Sequence, residues 1–550
     1  MSTNEILNLR LIPLAETDFK TIRDFGKIYV DKTELIYNIA LQRSPIFLAR
    51  PRRFGKSLLI HTFESLFSRG LQDFKGLAIE KYWRDKTYQV VRLDFTRIAG
   101  FSPTDLNNAF NAFIIDAFNL DDKISPRDVS SYYPNGLFSK IVKTLPNKSL
   151  VLLIDEYDAP LVYSLDDPDK LKFTLETLRA FYSTVKEYSA KFRFLFITGV
   201  TRVAHVSIFS AFNNLEDLSF YKEYNALLGF TKNDLVNFFD PYIENAANVL
   251  NMSKNNVYAR LESYYDGIKF VPNTNETVYN PWSILRFLKN PDDGFVNYWF
   301  KTSGTPSLIM QYLKVKDSFD YINYNDREIY IDMDKLSDRY EIENIPPEIL
   351  LSQAGYFSPY EKEDGSVVLR PPNSEIEESL LRLYLRANNV TETDAVRSKR
   401  QTLVNDIDSH NLKNIVETFN TILNTVVSDS SKIFEDERSV RDIIFASILP
   451  VHNLEKFKKN YTLNGFADLE LVTPKTHLVI EFKRTYPKDK NNQNIQPRDA
   501  KEALSLAIEQ VKSHNYGKIT FDEQDLYRVA MVISTEEKKI LPDYCQEVID

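Results

Sequence analysis

Four apolar runs constrain this chain more than any other feature. They are "PIFLA" (45–49), "YQVVRLDF" (88–95), "SLVLLIDEY" (149–157) and "FRFLFITGV" (192–200), separated by segments long enough for helices. A strand that faces solvent on one side alternates polar and apolar residues; a strand covered on both faces does not. Near-continuous apolar strands spaced by helices therefore predict a parallel sheet with helices packed on both sides, an α/β layered domain.

The first run leads into a loop and a helix. "ARPRRFGKSLL" (49–59) ends in Gly55, Lys56 and Ser57, followed by apolar residues with helical spacing. A strand, a tight turn and a helix N-terminus present backbone amides to phosphate oxygens. Lys56 would reach the β- and γ-phosphates, Ser57 would hold Mg²⁺, and Gly55 allows close backbone approach. The candidate nucleotide contacts are Arg53, Phe54, Gly55, Lys56, Ser57 and Leu58. The usual pattern has a glycine five residues before Gly55, and Arg50 stands there instead. Pro51 stiffens that turn, and Arg50, Arg52 and Arg53 are candidates to add charge towards phosphate, nucleic acid or a neighbouring subunit.

The third run ends in Asp155 and Glu156. Open parallel sheets bind ligands at strand carboxyl ends. Asp155 there can hold Mg²⁺ and Glu156 can polarise an attacking water, so both are candidates for nucleotide hydrolysis. The competing reading is a solvated acidic turn. The 88–95 run falls between the two motifs, which points to the P-loop branch with an extra strand between the lysine-bearing and aspartate-bearing strands. At the end of the fourth run, Thr198 is a candidate γ-phosphate sensor and Arg202 a candidate for neutralising transition-state charge; a surface turn is the alternative for both.

The C-terminal region carries a second constellation. "FADLELVTPKTHLVIEFKR" reads as two strands around "TPKT". With Thr473 facing Thr476, Asp468 faces Glu481. Opposed side chains lie roughly 4.5–5.5 Å apart, and two carboxylates so placed repel unless a cation sits between them. Lys483, two residues on, shares the face of Glu481, while Leu478, Ile480 and Phe482 turn to the other. Pro474 does not suit the usual two-residue hairpin turns. Asp468 and Glu481 are candidate Mg²⁺ ligands that would place a water nucleophile, with Lys483 positioning that water or stabilising phosphate charge. An exposed hairpin of mixed charge is the bland alternative. Further on come a polar loop (488–499), a helix and a final strand, "YRVAMVIS".

"RPRRFGKSLL", "LIDEYDAPL" and "FITGVTRVAHVSIFSAFNNLEDLS" resemble the AAA-ATPase-like family that is commonly joined to a PD-(D/E)XK nuclease-like domain. "YYDGIKF", "VYNPWSIL", "QAGYFS" and "LRPPNSEIEESL" are similar to its middle segments, so the resemblance spans nearly the whole chain. It implies that arginine in place of the first loop glycine is a family trait. It also implies roles for Glu437, on a helix, and for Gln510. Val440 and Arg441 stand where the family commonly has a Tyr-His pair.

The expected organisation is a P-loop domain over 1–229, a mostly helical, winged-helix-like region over 230–400, and a nuclease-like α/β domain over 401–550. In the middle region, Thr231 with Asp234 forms a capping-box-like start, Pro281 opens a helix, and Asn373 or Ser374 caps another. The expected activity is an ATP- and Mg²⁺-dependent ATPase coupled to a metal-dependent nuclease acting on DNA, less readily RNA; the alternative is a nucleotide-switched assembly module with an inactive nuclease fold. Homo-oligomerisation is compatible with either.

Composition narrows the setting. Across 550 residues the net charge is −9, so any nucleic-acid site is local rather than global. One cysteine excludes a disulfide framework and fits a reducing compartment. The six histidines show no metal-ligand spacing, and Trp282 and Trp299 read as core. No signal peptide is evident, and no apolar run reaches the ~18 residues that span a bilayer. A cytoplasmic protein without membrane contact is the expectation.

Overall fold

The computed structural model describes residues 11–120, 133–202, 214–302, 309, 329–338, 340–341, 344–387, 393–425, 434, 437–448, 451, 454–457, 467–486, 498–514 and 525–549. The stretch "VAHVSIFSAFN" (203–213), His205 and His452 lie outside them. The chain divides into two compact units, one of residues 1–319 with 324–379, the other of 320–323 with 380–550. The first unit thus holds both the sheet domain and most of the helical region that the sequence separates near residue 229.

In the first unit, β1 (Ile46–Ala49), β2 (Gln89–Asp94), β3 (Leu150–Asp155), β4 (Phe192–Gly199) and β5 (Glu216–Asp217) form one sheet in the order β2-β3-β4-β1-β5. Every pairing is parallel. All residues of β1 and β3 are buried, as expected of strands covered on both faces. Helix Lys56–Arg69 packs on β2 and β3, with Phe63 and Phe67 about 5 Å from the rings of Phe194 and Phe196 on β4. The strand separating β1 from β3 is β4; the 88–95 run lies beyond β3 at the sheet edge. An inserted strand is present, but it is the later one in sequence. The two-residue β5, from "NLEDLS", is too short for an apolar pattern and is absent from the sequence reading.

Further along this unit, Thr231 accepts from the Asp234 amide while the Asp234 carboxylate accepts from the Thr231 amide, a capping box. The helix then continues through a π-turn over Leu235–Phe239. Pro281 opens helix Pro281–Lys289 with Asn280 as its cap. Asn373, not Ser374, caps the helix Ser374–Ala387, because its side-chain oxygen accepts from the Ile376 amide at 3.0 Å. A small antiparallel sheet joins β6 (Ile329–Ile331), β7 (Ser358–Glu361) and β8 (Val367–Arg370).

The second unit is built on β9 (Glu455–Phe457), β10 (Leu469–Val472), β11 (Thr476–Arg484), β12 (Asp525–Ser534) and β13 (Lys539–Glu547), in the order β13-β12-β11-β10-β9. β11 and β12 are parallel, and helix Ala500–His514 crosses between them and packs on both. β12 is not the final strand: β13 follows and pairs with it antiparallel. The sequence "KILPDYCQE" hides this strand, because it has a proline and little apolar alternation, as edge strands can.

Candidate nucleotide and phosphodiester sites

The phosphate loop forms as its residues dictate. β1 ends at Ala49, and helix Lys56–Arg69 starts one residue after Gly55, whose φ of +96° suits glycine. Arg53 also has a left-handed backbone, with φ +69°, which is uncommon for a residue with a side chain. Phe54 is buried against the edges of Phe270 and Trp299, at 5.4 and 6.4 Å between ring centres. Phe54 therefore anchors the loop to the helical region rather than facing the loop interior. Leu58 is half-buried on the first turn of the helix.

The Lys56 ammonium lies across the loop, 3.2 Å from the Pro51 carbonyl oxygen and 3.5 Å from Glu156 Oε1. Ser57 hydrogen-bonds the Asp155 side chain. Burial pushes the Asp155 carboxyl up to about 6, with Glu156 beside it adding to the rise and Ser57 and Lys56 opposing it. Glu156 holds a φ of +50°, and its amide donates to Asp155 Oδ1 at 3.0 Å. Strain of this kind clusters at ligand sites. Lys56, Ser57, Asp155 and Glu156 are thus brought together at the carboxyl ends of β1 and β3.

Arg50 is a different case. It is 1 % exposed, and its guanidinium donates to the carbonyls of Ala49 (2.9 Å), Ser219 (3.0 Å) and Tyr224 (3.0 Å) while stacking 4.1 Å from the centre of the Phe270 ring. It bolts the end of β1 to the 219–224 segment and adds no charge towards a phosphate. Arg53 lies over the Trp282 ring at 4.5 Å, and Arg52 is half-buried.

Thr198 and Arg202 are likewise occupied. Thr198 is fully buried, and its hydroxyl donates to the Leu48 carbonyl at 2.6 Å, joining β4 to β1. Arg202 pairs with Asp217 at 2.8 Å, donates to the Ser337 carbonyl at 2.8 Å and stacks on Phe220. Both side chains fasten neighbouring segments together. Asp158, which the sequence offers only as part of a solvated acidic turn, is instead a buried fastening. It is 1 % exposed and accepts from the amides of Val200 and Thr201 and from the Thr201 hydroxyl, at 3.2, 2.8 and 2.7 Å. It fixes the turn after β3 to the end of β4; its sequence signal was the third acidic residue of "DEYD".

In the second unit the hairpin takes the register expected from its sequence. Leu469 pairs with Ile480 and Val472 with His477, and the Thr473 amide donates to the Thr476 carbonyl. Neither Pro474 nor Lys475 has a positive φ, so the turn is not of the primed type; the Thr473 hydroxyl closes it by accepting from the Lys475 and Thr476 amides. Asp468 Oδ2 accepts from the Phe482 amide at 2.9 Å, and Lys483 Nζ sits 2.6 Å from Glu481 Oε1. Glu437, from helix Glu437–Ile448, accepts from the Arg484 amide at 2.8 Å. Burial and then Asp468 push the Glu481 carboxyl up to about 8, against the pull of Lys483. Burial also raises Glu437, and the neighbouring carboxylates raise Lys483 despite its burial. Glu481 Oε2 is buried with no hydrogen-bond partner among the described residues. Gln510 is half-buried on helix Ala500–His514. Arg441 is buried and ion-paired with Asp442 at 2.9 Å.

Among the described residues, no group of three or more His, Cys, Asp or Glu side chains is arranged to hold a metal ion, and no helix is long and apolar enough to cross a membrane. His477 is buried against Glu470, 2.8 Å away, and His410 stacks on Tyr527.

A parallel sheet of order β2-β3-β4-β1-β5, with a lysine-bearing loop after β1 and acidic residues after β3, defines a P-loop-like nucleotide-binding domain. Residues 13–209 match the family described as Predicted AAA-ATPase, AAA-ATPase-like. The chain is also 28% identical over 383 residues to a protein of Azotobacter chroococcum mcd 1 called the uncharacterized protein in the vnfD 5′ region, a match covering 68% of this chain and 70% of that one. Neither description names a nuclease.

Proposed function

We propose that the chain is an ATPase whose second unit is a PD-(D/E)XK-type, metal-dependent nuclease acting on DNA in preference to RNA. The observation that carries the first half is the meeting of Lys56, Ser57, Asp155 and Glu156 at one sheet edge. ATP phosphates would lie on the amides of residues 53–57, with Lys56 released from the Pro51 carbonyl to meet them. Ser57 and Asp155 would hold Mg²⁺. Such a site uses one or two protein ligands plus phosphate oxygens, not a preformed cage. Glu156 would orient the attacking water.

The second half rests on Asp468, Glu481 and Lys483 sharing one end of β10 and β11, with Glu437 beside them. Glu481 Oε2, buried without a partner among the described residues, fits a cation-binding role, with Asp468 as the second ligand. A divalent cation bound there supplies an acidic water and charge neutralisation at phosphorus. Lys483 would hold the scissile phosphate or the water, and Glu437 orients the strand through the Arg484 amide. Gln510 completes the set by family resemblance.

The alternative, a nucleotide-switched assembly module with an idle nuclease fold, is favoured by one observation: Phe54, next to Gly55, is packed between Phe270 and Trp299, so nucleotide binding would be felt in the helical region. One experiment tests both. Purified protein is assayed for phosphate release and for cleavage of single- and double-stranded DNA and RNA, with and without ATP, alongside Lys56→Ala and Asp468→Ala. The proposal expects Lys56→Ala to lose hydrolysis and Asp468→Ala to lose cleavage. Nucleic acid left intact under Mg²⁺ or Mn²⁺ with ATP, together with a nucleotide-dependent change of mass or shape, establishes the alternative.

A further inference from the structure

At the end of β11, one tyrosine ring carries two arginines. Tyr486 and Arg498 form a backbone bridge, each amide donating to the other's carbonyl at 2.9 and 3.0 Å. The bridge brings the Arg498 guanidinium to 4.7 Å from the centre of the Tyr486 ring. Arg484, two residues before Tyr486 and so on the same side of an extended chain, lies 4.2 Å from that centre. We propose that Arg484 and Arg498 form a clamp for a single backbone phosphate of the nucleic acid, a neighbour of the phosphate that is cut. The proposal deepens the nuclease reading above and rests on it.

Three observations support it. First, the pair adjoins the candidate site. Arg484 follows Lys483 directly and its amide donates to Glu437 Oε1, while Arg498 Nη1 lies 4.0 Å from the same oxygen. Second, the two cations are under-neutralised. Like charges held on one ring repel unless an anion is shared between them. Among the described residues, Glu437 is the only carboxylate within 4.0 Å of either guanidinium, and it stands at the outer limit of an ion pair. Neither guanidinium donates a hydrogen bond to any of these residues, although each has five N–H donors. Third, both arginines are within reach of a ligand: each is half-buried, with the Arg498 side chain 25% exposed.

The chemistry selects phosphate. A planar guanidinium fork matches two phosphate oxygens, and resting on an aromatic ring fixes the fork in advance. The Tyr486 ring is occupied by the arginines rather than by a base, so the clamp reads charge and not sequence. The chain as a whole, with a net charge of −9, has no general attraction for nucleic acid. Local cations of this kind must supply it.

The test measures binding of two DNA oligonucleotides of unrelated sequence to the full-length protein by fluorescence anisotropy over a salt series. EDTA withholds the metal and leaves the DNA uncut. The variants are Arg484→Ala, Arg498→Ala, the double variant, and Lys475→Ala, which removes an exposed charge at the hairpin end of β11, far from Arg484. Each single arginine variant should bind both sequences about 10-fold more weakly, the size of one charge-assisted hydrogen bond. The double variant should lose no more than about 30-fold, because both arginines hold the same phosphate and their losses do not add. Its slope of log affinity against log salt should fall by about 0.9, the value for one phosphate. Lys475→Ala should stay within about twofold of wild type at an unchanged slope. Where alanine shifts the urea midpoint, Arg484→Lys and Arg498→Lys take its place; they keep the charge but lose the fork, and should weaken binding at the wild-type slope. The clamp is overturned if the arginine variants bind like wild type, if Lys475→Ala matches their loss, or if the double variant loses the full product of the single losses. If wild type binds neither oligonucleotide, the nuclease reading itself falls.

Discussion

Restoring the glycine that the phosphate-loop pattern calls for should damage this protein. In Arg50→Gly, the carbonyls of Ala49, Ser219 and Tyr224 lose their charged donor and the Phe270 face loses its cation. Hydrogen bonds to charged groups contribute about 1.5–3 kcal/mol each, and a desolvated cation–π contact about 2 kcal/mol. These do not add fully, and they are offset by the cost of burying the guanidinium, whose pKa burial pushes down to about 9. Leaving a buried carbonyl acceptor without a partner nevertheless costs about 1–3 kcal/mol, three carbonyls lose theirs here, and a glycine at the end of β1 adds up to ~1 kcal/mol of backbone entropy. Against a total of about 5–15 kcal/mol, that is a large fraction. Urea unfolding of the full-length protein, followed by tryptophan fluorescence, should show the first unit's transition at clearly lower denaturant. Arg50→Lys, which keeps the charge but loses the planar fork, should fall between. If Arg50→Gly unfolds within ~0.5 kcal/mol of wild type, Arg50 is not a structural bolt and the reasoning fails.

Other outcomes follow from the same packing. A Cβ on Gly355 would lie 2.7 Å from the Trp299 ring and 2.8 Å from Pro51, at a φ of +86°. Gly355→Ala should therefore cost about 2–5 kcal/mol from overpacking and left-handed strain and, by displacing Pro51, weaken ATP binding; unchanged unfolding and affinity would refute the clamp. Asp158→Ala removes a buried acceptor of three hydrogen bonds and should destabilise the first unit by at least about 1–3 kcal/mol in urea titrations. Glu375 is buried beneath Ser283 and the amides of Tyr298 and Trp299, and burial pushes its carboxyl up to about 8. Its contribution is full below the unfolded carboxyl range and is lost as pH rises through about 8, at up to about 1.4 kcal/mol per pH unit. Wild-type stability should fall from pH 5 towards pH 9, and Glu375→Gln should flatten that slope; an unchanged slope assigns the fall to other groups.

Much of the frame was legible because it rests on local chemistry. Continuous apolar runs mark strands that must be covered on both faces, so β1, β3 and β4 could be read within a residue or two. The Thr473–Thr476 turn sets the hairpin register, and the period of two then places Asp468, Glu481 and Lys483 without further information. Thr231 with Asp234, and Asn373, satisfy nearby helix amides, which is a matter of a few residues. What stayed hidden depends on segments far apart in the chain. Thr198 and Arg202 look like phosphate sensors until Leu48, Asp217 and Ser337 arrive to occupy them. β5 and β13 exist because a finished sheet offers them an edge, not because their sequences favour strands. The four residues "RPRR" show the division well. Their order told of a basic turn before Gly-Lys-Ser; only folding could assign Arg50 to three buried carbonyls and Arg53 to Trp282, because a guanidinium takes its role from the partners that the tertiary structure brings within reach.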